Sequence, residues 1–354
     1  MTASAEPRSG TAGPTIGTPS AAPARTMPAE WEPHAGCLMV WPARRELWGG
    51  RLDEALHDYA AVANAIAEAE PVLMVCRPGT AHEVRARCAP EVRAVELPVD
   101  DSWARDSGPV FVRRADGSPA VVSFRFNAWG ERWHPYADDD ALAGRVGELL
   151  GLDVVDSPMV LEGGSFFVDG EGTLLTTEQC LLDPNRNPSW TRAEIERELR
   201  DMLGVRTVVW LPFGHSLDTG PAGTDGHIDG VAQYIAPGRV LLELPSSPSS
   251  PDFARARANL EVLEYTFDAR GRQLDVTVLD PGDDPHVSYA NHYIANGRVV
   301  VPLSGTVHDA AALDLLAQVY DGRDIVGVPG EVLAYGGGGP HCITQQIPAG
   351  VQLP

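Results

Sequence analysis

The sequence predicts an α/β protein, because short apolar strands alternate with amphipathic helices along most of the chain. The apolar runs AGCLMVW (35–41) and PVLMVC (71–76) are typical of buried strands, and residues 52–69 between them have the pattern of an amphipathic helix. A second short helix from about Thr80 and the strand EVRAVELP (91–98) continue the alternation.

The best-defined predicted helix covers residues 191–203. Thr191 and Glu194 form a capping box at its start, apolar side chains make one stripe along it, and Gly204 ends it. The strand RTVVWLP (206–212) follows at once. A helix between strands is therefore well specified here.

Long helical patterns recur at intervals, and strands flank each of them. They lie near residues 52–69, 139–150, 191–203, 252–267 and 309–320. About five similarly composed units indicate repeated modules around one core. A doubly wound sheet would give a similar alternation, so the pattern alone leaves both architectures open.

The first 26 residues differ from the rest of the chain. They consist mainly of Ala, Ser, Thr, Gly and Pro, which predicts a disordered tail over residues 1–26 and a single folded domain over 27–354. An organelle-targeting peptide is the weaker alternative. The chain shows neither a run of about 18 apolar residues nor a cationic segment leading into an apolar one. A cytoplasmic protein with no membrane span is expected.

The charge balance is strongly acidic, with 27 Lys and Arg against 49 Asp and Glu and a net charge of −22. Such a field repels nucleic acid and anionic membranes and favours a cationic partner. An acidic surface that serves only solubility is the alternative explanation. Nothing in the sequence fixes the oligomeric state, although a homodimer would be unsurprising.

The cysteines argue against a disulfide framework and against a thiolate zinc site. They are odd in number and widely spaced, with no Cys-x-x-Cys pair: Cys37, Cys76, Cys88, Cys180 and Cys342. Four are expected to pack as small apolar residues. Cys342 differs, because it follows Tyr335 and four consecutive glycines, which let the backbone approach a ligand closely. The alternatives are a reactive thiol and a glycine-rich turn that enters a buried strand.

A second candidate segment is DGHID (225–229). On a strand, His227 and Asp229 would share one face, with Asp225 beside them. An acid–base imidazole and a carboxylate would then point into the same space. A metal site is not predicted, because no second His or Cys stands at ligand spacing. A surface strand with polar residues facing water is the structural alternative.

Further carboxylates occur next to aromatic or glycine residues. Asp106 lies with Trp103 in the turn WARDSGP (103–109), and Glu162 lies in LEGG (161–164). A turn capped by Asp106 is the alternative for the first segment. Together, one thiol, one imidazole and several carboxylates indicate a site for a planar cation, since carboxylates grip a guanidinium by paired hydrogen bonds.

Six ordered motifs make the chain resemble the agmatine deiminase and bacterial-type peptidylarginine deiminase family of the guanidine-modifying, or pentein, superfamily. They are MPAEWEPH (27–34), WARDSGP (103–109), FNAWG (126–130), LEGG (161–164), DGHID (225–229) and HCITQQ (341–346). The likeness runs from about Met27 to Gln346. It implies an α/β propeller with fivefold pseudo-symmetry and an active site on its axis, with no metal or organic cofactor.

The resemblance also implies roles for individual residues. Cys342 would be the nucleophile, His227 the acid–base, and Asp106 and Asp229 the guanidinium clamps. Glu162, Trp103 and Asp225 would help to bind substrate.

The expected reaction converts agmatine to N-carbamoylputrescine and ammonia through a thiouronium on Cys342. The alternatives are deimination of another alkylguanidine, free arginine or peptidylarginine, amidinotransfer, and guanidine binding without catalysis.

Two departures from the family pattern affect substrate choice. The family usually has a compact acidic approach to the histidine, whereas this chain has the longer LDTGPAGTD (217–225). The usual Asn-Ile before His-Cys is Gly339-Pro340 here. Both changes leave the predicted catalytic set whole but reshape a loop that could hold the far end of the substrate.

Overall fold

A computed structural model describes residues 23–220, 222–283 and 286–354. Most of the tail predicted for residues 1–26 lies outside these ranges. One part of that prediction is wrong, because Arg25–Thr26 form a short strand that pairs antiparallel with Arg113 and Arg114. Arg25 also donates a hydrogen bond to the Asp201 carbonyl at 3.1 Å. The fold therefore begins before residue 27.

The strands are short, as the sequence predicts. They are β1 (Arg25–Thr26), β2 (His34–Val40), β3 (Val72–Cys76), β4 (Val92–Glu96), β5 (Val110–Arg114), β6 (Pro119–Arg125), β7 (Val154–Val160), β8 (Phe166–Val168), β9 (Thr173–Thr177), β10 (Thr207–Leu211), β11 (Ala232–Ala236), β12 (Arg239–Glu243), β13 (Asp275–Leu279), β14 (Tyr293–Ala295), β15 (Arg298–Leu303), β16 (Asp324–Pro329) and β17 (Thr344–Pro348).

The helices vary from single turns to four turns. They are α1 (Arg45–Trp48), α2 (Leu52–Ala67), α3 (Ala81–Arg87), α4 (Ala104–Ser107), α5 (Ala128–Glu131), α6 (Ala137–Asp140), α7 (Leu142–Leu149), α8 (Glu178–Leu181), α9 (Arg192–Leu203), α10 (Phe253–Glu264), α11 (His308–Val319) and α12 (Glu331–Gly336). No helix within the described ranges has the length and apolar character needed to cross a bilayer.

The strands form five separate sheets in the described part of the chain. Their orders are β1-β5-β6-β7, β10-β9-β8, β11-β12-β13, β14-β15-β16 and β17-β2-β3-β4. Each sheet contains an antiparallel pair of strands. After the second strand of this pair, the chain passes through helical structure and returns as a parallel neighbour of that strand. The α/β class is confirmed, and the five helical patterns of the sequence each lie within one such unit.

The last strand completes the sheet that the first part of the chain began. Strand β17 pairs antiparallel with β2, with Thr344 opposite Met39 and Gln346 opposite Cys37. Cys37 and Cys76 are fully buried in β2 and β3, which confirms that they pack as small apolar residues. The pairing also places the segment just before β17 next to residues far away in sequence.

The predicted ends of α9 are confirmed. The Thr191 side chain accepts a hydrogen bond from the Glu194 backbone, and Glu194 accepts one from the Thr191 backbone. Gly204 is left-handed with a φ of 72° and caps the last turn. Ile195, Leu199 and Leu203 form the buried stripe of the helix.

Candidate active site

Each of the five sheets contributes one residue to a common region, and each of these residues stands shortly before a strand. They are Asp106 before β5, Gly164 before β8, Asp229 before β11, Asn291 before β14 and Cys342 before β17. Hydrogen bonds join neighbours in this set, since Gly164 N donates to Asp106 and Asn291 donates to the Asp229 carbonyl. Equivalent positions of five similar units therefore meet at one place.

Cys342 lies in this region with only 6% of its surface exposed. Its thiol donates to Asp229 Oδ2 at 3.4 Å and accepts from Asn291 Nδ2 at 3.1 Å. Burial raises the pKa of the Cys342 thiol well above its ordinary value of 9.0, and the charges of Asp229 and Asp106 raise it further. These effects favour the protonated thiol, and a cation that offset the two carboxylates would favour its ionisation.

Asp229 is held by a chain of charged groups. His341 Nδ1 lies 2.9 Å from Asp229 Oδ2, and His341 Nε2 lies 3.1 Å from Glu30 Oε1. Arg105 in turn donates to Glu30 at 2.9 Å. Burial opposes ionisation of Asp229, but the hydrogen bond and charge of His341 outweigh it and lower the pKa of Asp229. Asp229 is therefore ionised before any substrate binds.

Asn291 holds the Cys342 thiol from the other side. Its Nδ2 contacts the Cys342 sulfur, and its Oδ1 accepts from the backbone N–H of His341 at 3.1 Å and of Cys342 at 3.4 Å. One amide side chain thus binds both the thiol and the backbone that carries it. A thiolate at this position would have an N–H donor in place.

Glu243 supports the turn that carries Asn291. The buried Glu243 Oε1 accepts from Ala290 N at 2.8 Å and from the Ser288 hydroxyl at 3.1 Å. Burial raises the pKa of Glu243 to about 8. The turn before β14 therefore depends on a carboxyl group that folding keeps largely protonated at neutral pH.

Asp106 lies on the single turn α4 and is 5% exposed. Its Oδ2 accepts from Trp129 Nε1 at 3.0 Å, and its Oδ1 accepts from Gly164 N at 3.0 Å. Burial raises the pKa of Asp106 to about 6, against the lowering effect of His227 and with a further rise from Asp229. Asp106 can therefore change its charge near neutral pH.

His227 is buried among carboxylates without a hydrogen bond to any of them. Its Nδ1 lies 3.9 Å from Asp106 Oδ1 and 4.0 Å from Asp229 Oδ1, and its Nε2 lies 3.9 Å from Glu162 Oε2. Neither ring nitrogen has a hydrogen-bond partner among the described residues. Burial opposes a charged ring, but Asp106 and Glu162 raise the pKa of His227 well above 6.5. The resting ring is an imidazolium that can give up a proton.

The structure corrects the prediction that His227 and Asp229 lie on a strand. They flank and enter a 3-10 turn (Ile228–Gly230), and β11 begins only at Ala232. Asp218 holds the approach, since its Oδ2 accepts from Gly226 N at 2.9 Å and His227 N at 3.0 Å. The backbone donors that a strand would pair are used by this side chain instead. The two residues still meet in one space.

Glu162 and Asp225 differ from each other in position. Glu162 Oε1 accepts from Arg186 Nε at 2.5 Å, and its other oxygen faces His227. Asp225 Oδ1 accepts from Arg132, and its Oδ2 accepts from Arg186 at 3.0 Å. Cationic side chains thus already contact both oxygens of Asp225, and its predicted role in substrate binding stays a prediction.

Trp103 packs against the glycine-rich segment before Cys342. A Cβ added to Gly338 would lie 2.5 Å from the Trp103 ring and 2.9 Å from Cys342 Sγ. Trp103 also packs against Trp129, with ring centroids 6.5 Å apart. Gly338 is therefore required by space, and Trp103 forms one wall beside the nucleophile.

Gly164 faces the reaction centre directly. A Cβ added there would lie 2.7 Å from His227 Nδ1, 2.8 Å from Asp229 Oδ2 and 2.9 Å from Asp106 Oδ1. Three groups that carry or exchange charge thus pack directly against this glycine. A side chain at this position would displace them.

A cavity of about 1020 Å³ leads to these groups, and Cys342, His227 and Asp229 lie in its wall. The cavity also borders the glycines before Cys342 and the loop before Thr224. Large exposed side chains stand around it: Leu217, Val307 and Tyr335. The segments that differ from the family pattern therefore line the outer part of the cavity.

Sequence reasoning missed Asn291 and the role of His341. Both make their contacts with residues that are distant in the sequence, as His341 does with Glu30. A signal for Asn291 existed, because it stands two residues before β14, as Cys342 stands two residues before β17. Comparison of equivalent positions in the five units would have pointed to it.

The fold and the site together define a class of enzyme in which a buried thiol lies beside carboxylates that suit a cationic ligand. The chain belongs to the Porphyromonas-type peptidyl-arginine deiminase family, whose sequence profile matches residues 26–348. The resemblance predicted from the six motifs is confirmed.

Individual relatives match over nearly their whole length. An agmatine deiminase of Pseudomonas aeruginosa is 42% identical, over 91% of this chain and 95% of the relative. The solved agmatine deiminase of Enterococcus faecalis is 36% identical, with a TM-score of 0.86 over 92% of this chain and 96% of its own. Campylobacter jejuni agmatine deiminase, at 22% identity and a TM-score of 0.78, shares the fold.

Proposed function

We propose that this protein is an agmatine deiminase that hydrolyses agmatine to N-carbamoylputrescine and ammonia. The observation that carries the proposal is the convergence of His227, Asp229 and Asp106 around Gly164, with the Cys342 thiol 3.4 Å from Asp229. Relatives with similar sequences over nearly their full length are agmatine deiminases. Family and geometry support the same chemistry.

Substrate binding comes first in the proposed mechanism. Asp229 and Asp106 each accept hydrogen bonds from the guanidinium, whose planar N–H groups suit paired carboxylate contacts. The bound positive charge offsets the two carboxylates that disfavour a thiolate. The proton of Cys342, which lines the cavity, then leaves to solvent water, while Asp229 stays ionised as a clamp. Nucleophile activation is thereby coupled to a cationic ligand.

The thiolate then attacks the central guanidinium carbon, and the C–S bond forms as a tetrahedral adduct. His227, an imidazolium in the empty site, donates its proton to one terminal nitrogen, and the C–N bond breaks to release ammonia. A thiouronium remains on Cys342. Neutral His227 is left beside it.

Water completes the turnover. His227 takes a proton from water as the oxygen attacks the thiouronium carbon, and collapse of the second adduct breaks the C–S bond. The hydroxyl proton of that adduct passes to the departing sulfur, so the neutral ureido product leaves and Cys342 returns as the thiol. His227 is again protonated, so the two steps use the same proton carrier in opposite directions.

The outer cavity would hold the aminobutyl tail of agmatine. Its described acids include Asp218, which is already hydrogen-bonded to Thr224 and Gly226, and the exposed Glu331. Tail recognition is therefore expected to come from the negative field and from cavity shape more than from one dedicated ion pair.

We also infer that the five units are arranged around one axis, as an α/β propeller of the pentein type. Five sheets of matching topology and five equivalent positions at one site support this arrangement. A closed ring would place the active site on the axis. A crystal structure would test the arrangement directly.

An ammonia-release screen tests the function. Agmatine, free arginine, a simple alkylguanidine and an arginine peptide are supplied at equal concentration, with Cys342→Ala as the blank and mass spectrometry of the products. N-Carbamoylputrescine from agmatine, at the highest kcat/KM of the set, is the expected result.

Other outcomes would contradict the assignment. Preference for arginine or the peptide would overturn agmatine as substrate while leaving a deiminase. Transfer of the amidino group to an added amine would establish amidinotransfer. Substrate affinity without ammonia from any guanidine would leave a binding protein.

A further inference from the structure

A buried cluster includes the acid–base histidine together with a thiol that the proposed reaction does not use. It consists of Glu162, Cys180 and His227, which are 1%, 0% and 2% exposed. Their ligand atoms, two of which are the Cys180 sulfur and a His227 ring nitrogen, all lie within 4.8 Å of one another. Cys180 belongs to α8 and has no part in the attack on substrate.

The histidine at this cluster is open to a new ligand. Neither ring nitrogen of His227 is hydrogen-bonded within the described residues, although the ring is buried. Glu162 has a free oxygen on this side, because Arg186 takes Oε1 while Oε2 faces His227 Nε2 at 3.9 Å. An unpartnered nitrogen, a carboxylate oxygen and a sulfur that donates to the Thr224 carbonyl at 3.7 Å therefore lie close together.

We propose that Glu162, Cys180 and His227 form an inhibitory site for a thiophilic divalent cation such as Zn²⁺. A sulfur, an imidazole and a carboxylate are a ligand set that zinc accepts. Zinc distances of about 2.0–2.3 Å would bring the ligand atoms to about 3.3–3.8 Å from one another, a contraction of about 1 Å from the present limit.

The charge balance of the cluster favours this exchange. Zinc binding releases one proton from the Cys180 thiol and one from the His227 imidazolium, and one divalent cation replaces them. The total charge beside Arg186, Asp106 and Asp229 is therefore unchanged. His227 and Thr224 line the cavity, so the cluster adjoins the route by which substrate enters.

Bound zinc would stop the reaction without touching the nucleophile. With His227 Nε2 on the metal, Nδ1 on the side of Asp106 and Asp229 would keep its proton and could not accept one from water, and Cys342 would remain a free thiol. Inhibition rests on the proposed role of His227, whereas metal binding does not.

Cobalt spectroscopy tests the binding, with Co²⁺ as the probe. The Cys342→Ala variant, which lacks the nucleophile, is expected to bind Co²⁺ with a thiolate charge-transfer band that Zn²⁺ removes. Adding Cys180→Ser should abolish the band, whereas adding Cys88→Ser, at the half-buried thiol, should not. His227→Gln provides a second loss variant should Cys180→Ser fail to fold.

Inhibition is measured on the enzyme that retains Cys342. Zn²⁺ should lower turnover reversibly, with recovery on chelation. Cys180→Ser should keep basal turnover but need at least about tenfold more Zn²⁺, since even outer partners of a metal ligand cost about 10–100-fold in affinity. The proposal would be overturned if Cys342→Ala, without a second substitution, showed no cobalt band. It would also be overturned if Zn²⁺ inhibited Cys180→Ser as strongly as the wild type. The cobalt result does not depend on the reaction, so it separates this failure from failure of the proposed function.

Discussion

The two halves of the reaction centre differ in how their polar atoms are satisfied. In the nucleophile half, defined as Cys342, Asp229, His341 and Asn291, hydrogen bonds connect every member. In the acid–base half, defined as His227, Asp106 and Glu162, the ring nitrogens of His227 lie 3.9–4.0 Å from the carboxylates.

The difference follows from what each half must do. A nucleophile and a clamp gain from fixed geometry, because misplacement of a reacting group is costly. An acid–base group must exchange protons with ligands that arrive later, and a hydrogen bond to the protein would compete with them. The nucleophile half therefore holds its groups in fixed positions, whereas the acid–base half keeps the ring nitrogens of His227 free for hydrogen bonds to ligands.

The largest expected effect comes from removing the thiol. Cys342→Ala should lower turnover by on the order of 10⁴-fold or more, as for other covalent nucleophiles. Agmatine binding by calorimetry should persist, since the carboxylates remain. Cys88→Ala is the matched control and should be active, whereas substantial turnover in Cys342→Ala would contradict a covalent intermediate.

Crowding the nucleophile half should be the next largest effect. Gly338→Ala places a methyl group 2.5 Å from Trp103 and 2.9 Å from Cys342 Sγ, so the thiol must shift. Misplacement by about 1 Å predicts a loss of kcat of about 100-fold. Gly230→Ala is the control, because a Cβ there meets no atom within 4 Å. Equal kinetics for the two variants would show that the thiol is not tightly placed.

Loss of one hydrogen bond in the nucleophile half should have a smaller effect. Asn291→Ala removes the donor to the Cys342 sulfur and should lower kcat/KM by about tenfold or more, since a hydrogen bond to a charged group is worth about 1.5–3 kcal/mol. Asn291→Asp keeps the acceptor but puts a negative charge beside the thiolate, so its rate should be lower still. A more active Asp variant would refute the donor role.

The smallest effect on turnover is expected at Glu243, where the change is in stability. Its folded pKa of about 8 lies above its ordinary value of 4.5, so folding favours the protonated carboxyl. Its contribution to the free energy of unfolding is complete below about pH 4.5 and is lost as the pH rises through about 8. Glu243→Gln removes this dependence while keeping an acceptor oxygen.

Denaturant unfolding of the two proteins between pH 5 and pH 8 measures this contribution. The free energy of unfolding should fall more steeply with pH in the wild type than in Glu243→Gln, by up to about 4 kcal/mol over the range. Parallel curves would mean that Glu243 is ionised throughout and would remove it as a support of the nucleophile half.

Local signals allowed much of the fold to be predicted. The capping box of Thr191 and the glycine after Leu203 act within a few residues, so they fixed the ends of α9 correctly. The turn before His227 could not be predicted in this way, because the backbone N–H groups of Gly226 and His227 bond to the Asp218 side chain and not to a neighbouring strand. The alternation of polar residues in the sequence does not show which group the backbone bonds to.

The candidate site divides along the same line. Cys342, His227, Asp106 and Asp229 meet as the motifs predicted, whereas Asp225 has the right residue type but is bound by Arg132 and Arg186. Only the tertiary fold brings those arginines to it. Charge alone could not separate a carboxylate that awaits a cation from one that already has two.

The close packing around Gly164 has a practical consequence for engineering the enzyme. A single methyl group at this position would itself occupy the point where His227, Asp229 and Asp106 converge. Gly164→Ala would push these three groups out of position while leaving each of them in the protein, so the variant should be inactive. Such a protein offers an inactive control for cell studies, because it differs from the active enzyme by one methyl group in place of a hydrogen and has the same charge.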